Sequence, residues 1–205
     1  MSTTVGREQR PAAFLQSRPT TCGVACCMMV MHDLLGTDLS RTLEGSIRHR
    51  LKTRYYDIVP VISIARYLFK AGLSVRVIHE RPDLFWERMR AHPVMLQEQE
   101  IAYKRAARDG LRVHHSAVTI EALKSELSVD ALVILGISLG PDVKHAILLF
   151  NCVNDTFGCV DPLRGYRYLH ASENARAMQL DTGAWYLAVK AKSLTSCRNA
   201  PKIAD

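Results

Sequence analysis

Four side chains in this sequence have the types and spacing of a thiol nucleophile and its supporting groups. Cys22 follows Pro19-Thr20-Thr21 and opens the run CGVACCMMVMHDLL. At the start of a helix, free N–H groups and the macrodipole favour negative charge on a sulfur. Gln16 lies on the approach to that helix, where its side-chain amide can join the Cys22 backbone N–H as a donor to a developing oxyanion. Gly23, directly after the nucleophile, is expected to leave it open to substrate. The base must come from a distant part of the chain, because in such enzymes cysteine and histidine meet in space. His145 opens the apolar run AILLF just after Gly140-Pro141, and Asp161 stands just before Pro162. If the chain turns near Asn154, His145 and Asp161 become neighbours, and the carboxylate can accept the second ring N–H and fix the tautomer. Asp155 and Asp142 compete for this orienting role, but Asp155 fits a turn and Asp142 lies very close to the histidine in sequence. The chemistry expected is attack of a Cys22 thiolate on a carbonyl, with His145 protonating the leaving amine and water releasing the acyl-enzyme. Neither a metal nor an organic cofactor is required.

Other uses of the same residues are weaker. The six cysteines lack the spaced, loop-rich setting of a disulfide framework: Cys26 and Cys27 are adjacent, one helical turn after Cys22. Both read as core residues, since free cysteine is among the most buried residue types. Cys22, Cys26, His32, His114 and His115 offer no second clean pair at zinc spacing. Redox chemistry would want a C-x-x-C at the helix start, and it is absent. Arg164, just past Asp161-Pro162, is a weak candidate for binding a substrate carboxylate.

The elements that must hold these groups follow from periodicity. The first helix, with Thr21 or Thr20 as its cap, buries Val24, Cys27, Met28, Met31, Leu34 and Leu35 and stops at Gly36. A polar, basic stretch from Asp38 to Tyr56 reads as a loop with a short helix. Pro60 opens the amphipathic helix VISIARYLFKAG, and LSVRVIH reads as a strand. From Pro82 to Asp109 the pattern is helical, broken at Pro93. A short strand, Leu111 to His114, the helix TIEALKSEL and the strand ALVILGIS come next. The last third gives HAILLFNCV, a turn at Asn154-Asp155, TFGCVDP and GAWYLAVKA as strands. Helices first and an antiparallel sheet last is an α+β order.

The runs FLQSRPTTCGVACCMMVM, TIEALKSEL-VDALVILGIS and KHAILLFNCVNDTFGCVDPLRG together resemble the peptidase C39-like family of papain-like cysteine proteases. The resemblance covers about residues 14 to 190. It implies a papain-like fold in which N-terminal helices pack on a C-terminal antiparallel sheet. It also implies Gln16 as the oxyanion glutamine, Cys22 as nucleophile, His145 as base and Asp161 as third member. The best-known relatives are domains of membrane exporters that cut leader peptides. The long, helical segment from Pro82 to Val113 instead resembles stand-alone members of the family.

A chain of 205 residues with 48% hydrophobic content fits one domain. The division expected is an extension at 1–13, the catalytic domain at 14–192 and a polar tail at 193–205. No apolar run approaches the roughly 20 residues that span a bilayer, and no signal peptide is evident, so a cytoplasmic protein is expected, with non-classical delivery to another cell left open. The net charge of +7 lies wholly in residues 41–112, which hold fifteen Lys and Arg against eight Asp and Glu. That segment suits an acidic partner, while sparse aromatic interleaving argues against nucleic acid. The leading function is cleavage of a peptide or protein. Acyl transfer, transpeptidation or glutamine deamidation would use the same groups, and a peptide-binding module without catalysis is the alternative from another class.

Overall fold

A continuous apolar run makes the first helix, α1 (Cys22–Leu35), in which every side chain from Val24 to Met31 is buried. A helix apolar on all sides belongs in the middle of a core. It ends at Gly36, whose left-handed backbone (φ 69°) returns its N–H to the carbonyls of His32 and Met31. The threonine expected to cap this helix does not do so with its side chain; Thr21 turns its hydroxyl elsewhere. The computed structural model describes residues 4–53, 59–80, 92–138, 144–173, 175 and 184–192. Asp142, part of the helical stretch read after Pro82 and the tail at 193–205 lie outside them.

Three more helices share the α1 side of the molecule: α2 (Arg41–Leu51), α3 (Val61–Lys70) and α4 (Pro93–Arg108). The polar stretch after Asp38 therefore forms a full helix, started by Ser40, whose Oγ accepts from Leu43 N at 3.1 Å. On the other side of the sheet, α5 (Ile120–Ser128) begins at Thr119, whose hydroxyl accepts from Ala122 N.

The strands are β1 (Thr4–Gly6), β2 (Ser74–His79), β3 (Val113–His114), β4 (Leu132–Ser138), β5 (Lys144–Val153), β6 (Thr156–Asp161), β7 (Gly165–His170) and β8 (Trp185–Lys190). They form one sheet in the order β3-β2-β8-β4-β5-β6-β7, with β1 beside the far end of β5. Side chains alternate across it. Ile134, Leu148 and Leu187 join the α1–α4 core, whereas Val133, Leu149 and Tyr186 join the α5 core. A sheet covered on both faces explains why β4 is buried along its whole length.

The α+β reading holds, with three differences of detail. β2 and β3 pair in parallel, so the sheet is not wholly antiparallel and draws on the first half of the chain. β7, which alternates exposed and partly buried residues at the sheet edge, was not expected as a strand. β1 adds residues of the supposed N-terminal extension to the sheet.

Gly136, in the middle of β4, lies directly beneath the indole of Trp185, so that a Cβ there would fall inside the ring's contact distance. Gly136→Ala is expected to lower stability by about 2–3 kcal/mol through overpacking. Urea denaturation followed by circular dichroism measures this. An unchanged midpoint would show that the indole swings aside freely.

Candidate active site

The candidate site assembles where the start of α1 meets the β5–β6 hairpin. The hairpin turns at Asn154 and Asp155, both with positive φ (47° and 63°), and returns antiparallel with Leu148 opposite Val160. His145 at the head of β5 and Asp161 at the end of β6 are thereby brought together, with Nε2 of the imidazole 2.8 Å from Oδ1 of the carboxylate. Both side chains are buried. Asp155 sits at the hairpin tip, paired with Lys124, and cannot serve this histidine.

Asp161 is held on more than one side. Its Oδ1 also accepts the Leu163 backbone N–H at 2.8 Å, and Arg167 on β7 reaches Oδ2 at 3.6 Å. Burial works against ionisation here, yet the hydrogen bonds from His145 and Leu163 N–H and the charges of His145 and Arg167 hold the carboxyl below its ordinary range. Cys22 acts on the same ring, its thiol being among the groups that favour the protonated imidazole. With Nε2 engaged by Asp161, Nδ1 is the ring nitrogen left for a second partner. Burial opposes protonation of the ring, but its hydrogen bonds and charge interactions with Asp161 and Cys22 outweigh this and raise it to about 9.

Cys22 is partly exposed, and the five described cysteines are free thiols. Cys26, one turn along α1, is fully buried with its Sγ 3.6 Å from the Ala146 carbonyl. Burial, and then its electrostatic interaction with Cys22, push its thiol well above the ordinary value. Burial takes Cys27 and Cys159 up to about 12. The neighbours of Cys22 are therefore core thiols, as their place in the helix suggested. Among the described residues no three His, Cys, Asp or Glu side chains gather as a metal site.

Gln16 lies on the chain leading into α1. Its backbone N–H donates to the Pro162 carbonyl at 2.8 Å, which joins this approach directly to the turn that carries Asp161. Its Nε2 donates to the Arg18 carbonyl at 2.7 Å, and its Oε1 is buried without a hydrogen-bond partner among the described residues. An amide nitrogen carries two N–H groups, so one donor is left over.

Two other candidates have further structural settings. A Cβ on Gly23 would lie 2.7 Å from Cδ1 of Ile64, so glycine also lets α1 pack closely against α3. Arg164, the candidate for a substrate carboxylate, is exposed in the turn with its backbone N–H bonded to the Asp161 carbonyl, while Arg167 reaches the Asp161 carboxylate. The period-two alternation of GYRYLH was the signal for Arg167, since it puts position 167 on the inner side of a strand next to Asp161.

Glu44 of α2 escaped notice altogether. It is buried, and its Oε1 accepts from Ser17 N at 2.9 Å and from the Thr21 hydroxyl at 2.7 Å. A glutamate in the first turn of a helix reads from sequence as a partner for the helix dipole, which hid its long-range contacts.

No protein-family profile matches the chain. A search of curated proteins likewise finds no match. Solved structures do match. The peptidase domain of Streptococcus ComA, a bi-functional ABC transporter involved in a quorum sensing pathway, superposes with a TM-score of 0.52 at 14% identity, covering 89% of this chain and 100% of that domain. A double glycine motif protease from an AMS/PCAT transporter, solved with its leader peptide, gives a TM-score of 0.52 at 14% identity over 93% of this chain and 99% of the other. Among the described residues no helix is long and apolar enough to cross a membrane. The order of elements, the two-sided sheet and these superpositions agree: this chain has the papain-like α+β fold of the C39-type peptidase domains.

Proposed function

We propose that the protein is a cysteine peptidase that cleaves a peptide or protein substrate through Cys22, His145 and Asp161. The observation that carries this reading is a buried imidazole hydrogen-bonded to a carboxylate and interacting with a partly exposed thiol at a helix start. At neutral pH a ring raised to about 9 is the imidazolium, the partner that a thiolate nucleophile requires. The sulfur attacks the scissile carbonyl, and the oxyanion takes hydrogen bonds from the Cys22 backbone N–H and the spare N–H of Gln16. His145 gives its proton to the leaving amine, then draws one from the water that hydrolyses the thioester. Asp161 keeps Nε2 as the donor to itself throughout, so Nδ1 always serves the sulfur side.

A peptide substrate is favoured by the fold, one relative of which was solved with a leader peptide bound. The basic segment suits an acidic stretch of that substrate. A cavity of about 440 Å³ is lined by Arg50 of α2 and Lys52 just after it, Arg66 and Lys70 of α3, Arg105 of α4, and Glu98 as the only carboxylate among the described residues there. A reducing compartment such as the cytoplasm suits an enzyme with a free catalytic thiol.

Incubation with a proteome-derived peptide library, followed by mass spectrometry of new termini, tests the proposal. New termini made by the wild type and absent with Cys22→Ala are expected. Glutamine converted to glutamate, or amines added without cleavage, would replace hydrolysis by deamidation or acyl transfer. No Cys22-dependent change of any kind would leave a binding module.

A further inference from the structure

We propose that Glu44 is a positioning residue that aims the oxyanion donors of the active site, a role that rests on the peptidase reading above. A buried carboxylate is unfavourable unless its oxygens are satisfied, and Glu44 is 1% exposed. All of its partners belong to the approach to Cys22 or hold that approach. Oε1 takes the Ser17 N–H and the Thr21 hydroxyl, and Oε2 takes Arg41 Nη1 at 3.1 Å. Arg41 itself donates to the Leu15 carbonyl and lies over the Phe14 ring. Helix α2 thus grips the chain on both sides of Gln16 and at the residue before the nucleophile.

Capping does not explain this carboxylate, because Ser40 already starts α2 through Leu43 N and Glu44 Oε1 accepts from Ser17 and Thr21, outside its own helix. The bond to Ser17 N–H fixes the peptide plane that joins Gln16 to Ser17, and so the direction in which the Gln16 side chain leaves the backbone. The bond to Thr21 fixes the residue whose carbonyl accepts from Ala25 N at 2.8 Å, the first hydrogen bond of α1. That sets the orientation of the Cys22 N–H. Both proposed oxyanion donors are anchored to one side chain, and such donors act only within a narrow geometric tolerance.

Two reactions of Cys22 separate aim from nucleophilicity. Iodoacetamide alkylates a thiolate by displacing iodide at carbon, and no oxyanion forms. p-Nitrophenyl acetate acetylates it through a tetrahedral adduct whose oxygen carries the charge; p-nitrophenolate leaves, and the acetyl group remains on sulfur as a thioester. In Glu44→Gln and Glu44→Ala, acetylation of Cys22, measured by mass spectrometry, is expected to fall by about 10- to 100-fold, less in Gln than in Ala, bounded above by the loss of a whole oxyanion donor. Alkylation should stay within about twofold. In a Gln16→Ala background, Glu44→Gln should lower acetylation by a smaller factor than it does alone, since only the Cys22 N–H is then left to aim. Equal falls in both reactions, or no fall in either, would overturn the role. If wild-type Cys22 alkylates no faster below pH 7 than N-acetylcysteine, the peptidase reading itself fails, and the positioning role falls with it.

Discussion

Alkylation of Cys22 by iodoacetamide at pH 6 is expected to slow by about 10²- to 10³-fold when His145 is replaced by alanine. An ordinary thiol, with a pKa of about 8.5, is less than about 1% thiolate at that pH, and only the thiolate reacts. On the proposed mechanism the His145 imidazolium keeps the sulfur charged, so most of the reactive fraction depends on one ring. The neighbouring thiols do not blur the readout, because burial holds Cys27 and Cys159 near 12 and pushes Cys26 well above its ordinary value. Mapping the labelled cysteines by mass spectrometry across pH 5 to 9 makes the comparison. A Cys22 rate that is the same with and without His145 would remove the ion pair and the proposed mechanism together.

Asp161→Ala is expected to lower peptide turnover by about 10²- to 10⁴-fold while leaving the fold in place. The substitution takes away the acceptor at Nε2 and strands the Leu163 N–H. The ring is then free to rotate and to exchange tautomers, and it loses the strongest of the contributions that raise it. NMR titration of His145 should move down from about 9 towards the ordinary histidine value.

The same pair makes stability depend on pH in a bounded way. A histidine raised on folding stabilises fully below its unfolded value of about 6.5, and that contribution is lost as the pH rises through about 9. A carboxyl lowered on folding stabilises above about 3.9, and that contribution is lost as the pH falls through the folded value. Wild type and Asp161→Ala should therefore differ most in melting temperature between about pH 4 and 6.5, with the difference narrowing as the pH rises to about 9 and as it falls below about 4. A difference that persists unchanged at pH 10 would show that Asp161 stabilises through its other contacts instead.

How much of this was legible in the sequence depended on how local the cause was. The helix from Cys22, its stop at Gly36 and the turn at Asn154-Asp155 follow from residues within a few positions of one another, and each stands where it was read. The meeting of His145 with Asp161 was also legible, because a tight hairpin converts spacing along the chain into distance. Glu44 was not, since nothing in the sequence RTLEGSIRHRL points to a partner more than twenty residues back. Thr21 misled for a related reason: a hydroxyl before a helix is read as a cap, and a carboxylate from another helix offered it a stronger partner. β7 was hidden by its mixture of aromatic and charged residues, which is what an edge strand open to solvent requires.

The place of β8 has a consequence for the order in which the molecule comes into being. It is the last strand in sequence among the described residues, yet it lies between β2 and β4 in the middle of the sheet. Until the ribosome has released Trp185–Lys190, no strand hydrogen-bonds the two sides of the sheet to each other. Cys22 leaves the ribosome more than a hundred residues before His145. On the proposed mechanism the nascent polypeptide therefore carries a thiol without its base past the chaperones and neighbouring chains, and the site is assembled only after β5 and β6 have been made.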